Sequence, residues 1–151
     1  MCRPLELVFA NGMDKGEIVG IPTGDVTQMK SFEEFFDAYK KQMEYCISLL
    51  VNADNAIDVA HAERCPLPFL SCMIDDCLKE GRSVQEGGAV YNFTGPQGFG
   101  IANMADGLFA IRKLVYEEKK VSMEEFKEAL AWNYDKAVSY THLTLPTILR
   151  V

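Results

Sequence analysis

Histidine is nearly absent from this chain, which has two, and none of its five cysteines forms a CxxC pair. Zinc and iron–sulfur sites draw on closely spaced Cys and His ligands. Cys2, Cys46, Cys65, Cys72 and Cys77 are scattered and odd in number, with only His61 and His142 to join them, so no metal site is expected. Such thiols also make a poor disulfide framework and suit a reducing cytosol, where cysteine acts as a small apolar side chain. Positive charge is in deficit as well: 15 Lys and Arg stand against 22 Asp and Glu, a net charge of -7. Nucleic acid and anionic membrane surfaces attract basic patches and are excluded as partners. No run approaches the roughly 20 apolar residues that cross a bilayer, and Met1-Cys2-Arg3-Pro4 lacks the apolar core of a secretory signal. A cytoplasmic location is expected, so Asn92-Phe93-Thr94, a glycosylation pattern, reads as chance. A small molecule or a protein is left as the partner.

What is present is apolar content, 48% over 151 residues, enough to bury a core, and it follows helical spacing. Leu5, Leu7, Val8 and Phe9 read as the last turns of a helix closed by Asn11-Gly12, a pair suited to left-handed backbone. Residues 13–30, with Gly16, Gly20, Pro22 and Gly24, read as a long connection. Ser31 and Glu34 form a capping-box signature. Behind it Phe32, Phe35, Phe36, Tyr39, Met43, Cys46, Ile47, Leu50, Ile57 and Ala60 make one apolar stripe down a long helix ending near Arg64, because Pro66 disfavours helix before it. Pro68 opens a new helix whose buried face is Phe69, Leu70, Met73, Ile74, Cys77 and Leu78, up to Gly81. Residues 89–94 read as the one short strand, interrupted by the glycine cluster of 95–100. Ile101 to Val115 returns to helical spacing, and Ser122 with Glu125 repeats the capping box ahead of Phe126, Ala129, Leu130 and Tyr134. No repeat marks a second domain. Residues 138–151 abandon the charged helical pattern and resemble translated adaptor read-through; they are set aside as a non-native tail, leaving 1–137 as one partial domain.

Each candidate for chemistry has a plain alternative. Gly95-Pro96-Gln97-Gly98-Phe99-Gly100 precedes a helix, where backbone N–H groups can meet an anion. It has neither the GxGxxG order of dinucleotide folds nor the Lys-Ser/Thr of a P-loop, and a tight turn that needs glycine is the simpler reading. His61 and Glu63, with Asp54 and Asp58 upstream, look like ligands or an acid/base set, yet HxE on a helix sends its two side chains about 200° apart. A hydrogen-bonded or charge-paired helix end, with Arg64 as a local partner, is favoured. Cys72 and Cys77, five apart, also point in different directions. No nucleophile arrangement stands out.

The runs Asp54-Asn55-Ala56-Ile57-Asp58-Val59-Ala60-His61-Ala62-Glu63-Arg64-Cys65-Pro66-Leu67-Pro68-Phe69-Leu70-Ser71 and Gly87-Gly88-Ala89-Val90-Tyr91-Asn92-Phe93-Thr94-Gly95-Pro96-Gln97-Gly98 resemble the glycyl radical enzymes of the pyruvate formate-lyase superfamily. So does Ala105-Asp106-Gly107-Leu108-Phe109-Ala110-Ile111-Arg112-Lys113, where the family usually reads ADSLxAIKK. The wording is closer to the choline trimethylamine-lyase, glycerol dehydratase and hydroxyproline dehydratase branch than to formate acetyltransferase itself. The resemblance implies a slice of a ten-stranded α/β barrel, mainly α as a fragment with one short strand. It implies an anaerobic lyase or dehydratase cleaving C–C, C–N or C–O bonds, in which a glycyl radical generates a thiyl radical that takes hydrogen from a small substrate. It further implies a homodimer when intact and a radical-SAM activating enzyme as partner. The family's GCxE and RVxGY loops are both missing from this sequence. No catalytic residue is therefore assigned, no cofactor is expected to be bound by this stretch, and the chain alone is expected to be inactive. Residues 89–97 are expected to supply a barrel strand and turn. Asn92 and Gln97 are the candidate substrate-facing residues, with a backbone-bonding role in the turn as the alternative. A stand-alone acidic helical interaction module is the competing function.

Overall fold

The computed structural model describes residues 2–93 and 95–131. The tail at 138–151, His142, Tyr134 and the last residue of the expected strand, Thr94, lie outside the described residues. In chain order the elements are helix α1 (Cys2–Phe9), a hairpin of β1 (Met13–Asp14) and β2 (Glu17–Ile18), and a 3-10 turn Val26–Gln28. There follow α2 (Phe32–Arg64), the single-turn helices α3 (Pro68–Ser71) and α4 (Cys77–Glu80), and a second 3-10 turn Val84–Glu86. The last are α5 (Ile101–Ile111), continuing as a π-helical segment Arg112–Glu117, and α6 (Met123–Ala131). The expected mainly helical class holds. The chain divides into two compact units, one made of residues up to Cys46 with those from Gly98 onward, the other Ile47–Gln97.

The first unit holds the core. Leu5 and Val8 of α1, Phe35, Ala38 and Tyr39 of α2, Met104 and Ile111 of α5, and Met123 and Phe126 of α6 are buried together. Phe9 sits among them, its ring 5.6 Å from Phe35 and 6.1 Å from Phe126. As expected, α1 ends on left-handed Asn11 (φ 52°) and Gly12 (φ 79°). The Asn11 side chain then accepts hydrogen bonds from the N–H groups of Thr23 and Gly24. The connection over 13–30 is more ordered than its composition suggested. Lys15 and Gly16, both at positive φ, form a two-residue turn that pairs Met13 with Ile18, the backbone such hairpins require. At the start of α2 the Ser31 hydroxyl accepts from the Glu34 N–H (3.2 Å), but the Glu34 carboxylate accepts from Lys30 rather than from Ser31. The box at α6 is complete: Ser122 N–H donates to Glu125 (2.9 Å) and Glu125 N–H to the Ser122 hydroxyl (3.2 Å).

In the second unit three expectations are corrected. The apolar stripe of α2 continues past Cys46 but nothing described covers it: Ile47, Leu50 and Ile57 are each about half exposed. The helix expected from Pro68 to Gly81 is broken in two: after Ser71 the backbone bonds tighten to Met73–Leu70 and Ile74–Ser71, and Asp76, in left-handed backbone (φ 73°), then cannot propagate a right-handed helix. Its expected buried face is correspondingly open, with Phe69 78% and Leu78 72% exposed, while Cys77 and Ser71 are the residues buried there. Finally, residues 89–93 form no ladder. A strand is defined by a hydrogen-bonded neighbour, and the described residues offer none to this segment.

Candidate functional site

The expected site segment, residues 89–97, leaves a turn built almost entirely from polar contacts. Ser83 caps the 3-10 turn: its hydroxyl accepts from the Glu86 N–H, and its own N–H and O–H donate to the Glu86 carboxylate at 2.9 and 2.8 Å. These donors hold the Glu86 carboxyl below the usual carboxylate range, the backbone N–H of Ser83 contributing most. Gly87 follows in left-handed backbone, and the Gly88 N–H donates to the Ser83 carbonyl at 2.9 Å. Gly88 also lies against the Arg82 carbonyl, whose oxygen a Cβ at that position would overlap. Arg82 closes the turn by donating to the Glu86 carbonyl.

Two side chains tie this turn to its surroundings. Buried Ser71, at the end of α3, donates to the Leu67 carbonyl (2.8 Å) and accepts from the Val84 N–H (3.0 Å). The Gln85 side chain accepts from the Leu67 N–H at 3.2 Å. Asn92, one of the two candidates from the sequence, donates its amide to the Val84 carbonyl at 3.1 Å. That is the backbone-bonding role weighed against a substrate contact. Gln97 is exposed and makes no hydrogen bond among the described residues, so the structure does not bring the two candidates together. Tyr91 and Phe93 are more than 80% exposed, with ring centroids 6.2 Å apart.

Sequence reasoning missed Ser71 and the Ser83–Glu86 box. The box was readable as Ser-x-x-Glu, whereas the partner of Ser71 lies 13 residues away, beyond any local pattern. His61 and Glu63 are exposed. No ion pair among the described residues involves Arg64, so the charge-paired form of the expected helix end is not made; the end is closed by the backbone bond from the Cys65 N–H to the His61 carbonyl at 3.0 Å. Cys72 is exposed and Cys77 buried. No three His, Cys, Asp or Glu side chains converge as metal ligands among the described residues. No described helix is long and apolar enough to cross a membrane. Gly100 begins α5 in left-handed backbone (φ 73°), the tight turn expected of the glycine cluster.

The pyruvate formate lyase-like family matches residues 1–146. A solved structure concerned with 1,2-propanediol dehydration in Roseburia inulinivorans is similar over 90% of this chain and 17% of its own, at 65% identity and TM-score 0.85. The glycerol-bound B12-independent glycerol dehydratase from Clostridium butyricum is similar over 93% of this chain and 18% of its own, at 48% identity and TM-score 0.87. Among curated relatives, the trans-4-hydroxy-L-proline dehydratase of Clostridioides difficile is 38% identical over 87% of this chain and 17% of its own length. The chain thus spans about a sixth of these proteins, and with the family matched along nearly its whole length it belongs to the pyruvate formate lyase-like family of glycyl radical enzymes.

Proposed function

We propose that this chain is one segment of a glycyl radical dehydratase whose substrate is a small vicinal diol. The observation that carries this reading is the 65% identity, over 90% of the chain, to the structure concerned with 1,2-propanediol dehydration. The glycerol dehydratase points to the same substrate class. The overall reaction removes one hydroxyl and one hydrogen from adjacent carbons as water and leaves an aldehyde. The chain contains neither GCxE nor RVxGY, so the hydrogen-abstracting thiol and the radical glycine belong to other stretches of polypeptide. What its own residues contribute is wall: the α-helical core of the first unit, and residues 89–97 as a segment facing the cavity that becomes a strand only beside strands from the rest of the enzyme. On this reading the whole enzyme is a cytoplasmic, oxygen-intolerant homodimer served by a radical-SAM activating enzyme.

The test is to express the full-length gene with its activating enzyme under anaerobic conditions and supply 1,2-propanediol and glycerol. Propionaldehyde or 3-hydroxypropionaldehyde is the expected product, and the 151-residue chain treated identically is expected to give none. Turnover by the short chain, or none by the full-length enzyme with either diol, overturns the proposal. The second reading, an acidic helical interaction module, draws on the exposed apolar residues of distal α2. The gene sequence flanking this segment decides between the two: GCxE upstream and RVxGY downstream support the enzyme, and stop codons at both ends support the module.

A further inference from the structure

We infer that Ser71 and Asn92 are positioning residues that hold residues 89–93 in place from the two backbone groups of Val84. This deepens the diol dehydratase reading and rests on it for the identity of what the segment faces. Ser71 receives the Val84 N–H at 3.0 Å and Asn92 donates to the Val84 carbonyl at 3.1 Å, so one residue is gripped on both sides. Ser71 is itself buried and anchored on α3 through Leu67. Around this grip the turn is over-determined by the Ser83–Glu86 box, the Gly88 to Ser83 bond, the Arg82 to Glu86 bond and the closeness of Gly88 to the Arg82 carbonyl.

A turn of this kind adds little to global stability. Its side chains are largely in water, where a hydrogen bond contributes about 1 kcal/mol net, and of residues 82–93 only Gly88 is buried. What it does supply is a single exit direction for the chain. Preorganisation of that kind is useful where a segment must stand at a fixed place against a ligand. With Asn92 tied back to Val84, the rings of Tyr91 and Phe93 stand side by side and free of the turn, 6.2 Å apart and more than 80% exposed. They are the surface that the grip presents. Asn92 is thereby a positioning residue, its one described hydrogen bond directed to backbone.

The experiment uses the full-length enzyme, not activated, with Ser71→Ala, Asn92→Asp and the hydroxyl-retaining Ser71→Thr. Two quantities are read: amide hydrogen exchange over residues 84–93, and 1,2-propanediol affinity by calorimetry. Ser71→Ala and Asn92→Asp are expected to speed exchange about tenfold within that segment alone and to weaken diol binding by about tenfold, the effect of one lost hydrogen bond. Ser71→Thr is expected to restore most of both. Unchanged exchange, or exchange that quickens throughout the protein, overturns the inference. So does faster local exchange with unaltered diol affinity in an enzyme that binds the diol. A parental enzyme that binds no diol sinks the substrate reading instead, and the exchange data with the Ser71→Thr rescue then decide positioning alone.

Discussion

A buried side chain, Gln42, and a buried hydroxyl on half-buried Tyr116, both in the first unit, make opposite contributions. Gln42 is fully buried, yet its amide donates to the Ile21 carbonyl (2.5 Å) and accepts from the Ile21 N–H (3.3 Å), so a loop residue is held as a sheet neighbour would hold it. Gln42→Leu keeps the volume and strands both Ile21 groups. At about 1–3 kcal/mol for each unsatisfied group, a loss of at least ~2 kcal/mol is expected in urea unfolding. Gln42→Leu as stable as the parent would mean that water reaches Ile21. Tyr116 is the reverse case: its hydroxyl is buried with no partner among the described residues. Burial, with a smaller effect from the Glu34 charge, pushes its pKa up to about 12, so the O–H stays protonated at physiological pH. Tyr116→Phe removes a donor that has lost its water and is expected to gain about 1 kcal/mol. A clear loss in the same urea experiment would reveal a partner for the hydroxyl. Neither role could be read from the sequence, because each is set by residues far along the chain.

At the scale of elements, what was legible is what is local. Both expected serine caps form, with the full box only at α6; the stop at Asn11-Gly12 holds and α2 ends at Arg64, because Ser, Glu, Gly and Pro act on backbone groups within four residues. The break at Asp76 and the hairpin at Lys15-Gly16 escaped because non-glycine residues in left-handed backbone leave weak composition signals. Residues 89–93 show the other limit, since a strand's existence depends on its neighbour. The complete box at α6 has a pH consequence. Donation from the Ser122 N–H, then its hydroxyl, lowers the Glu125 pKa below the ordinary carboxylate value. A carboxyl that is more acidic when folded contributes stability above its unfolded pKa, about 4.3, and that contribution is lost as pH falls through the lower, folded value. NMR titration should place the Glu125 midpoint below those of uncapped glutamates, and Ser122→Ala should return it to their range; an unmoved midpoint would deny the box. Gly107, where the family usually has serine, offers a gain. A Cβ there would meet Leu5 at 3.9 Å, an ordinary contact, so Gly107→Ala is expected to add up to ~1 kcal/mol by helix propensity. A loss on thermal unfolding would show that α1 and α5 approach more closely than this.

For the whole molecule, the decisive feature is apolar surface that the described residues leave half-exposed. On α2 beyond Cys46, Leu50 and Ile57 are 52% and 50% exposed, and seven residues apart they share one helix face. Contiguous apolar patches on monomers generally mark a contact, and on the enzyme reading that contact is with the remaining five-sixths of the polypeptide. Two proteins carrying Leu50→Glu with Ile57→Glu therefore ought to behave oppositely. In the 151-residue chain the double substitution removes exposed apolar area, so binding of a hydrophobic dye and concentration-dependent self-association should fall while unfolding free energy changes by less than about 0.5 kcal/mol. In the full-length enzyme the same two carboxylates are driven into a covered interface, where unpaired charge is costly, and a loss of several kcal/mol or failure to accumulate as folded protein is expected. Equal tolerance in both contexts would mean that this face stays in water throughout, and the segment would then have to be read as a free-standing helical module with its partner elsewhere.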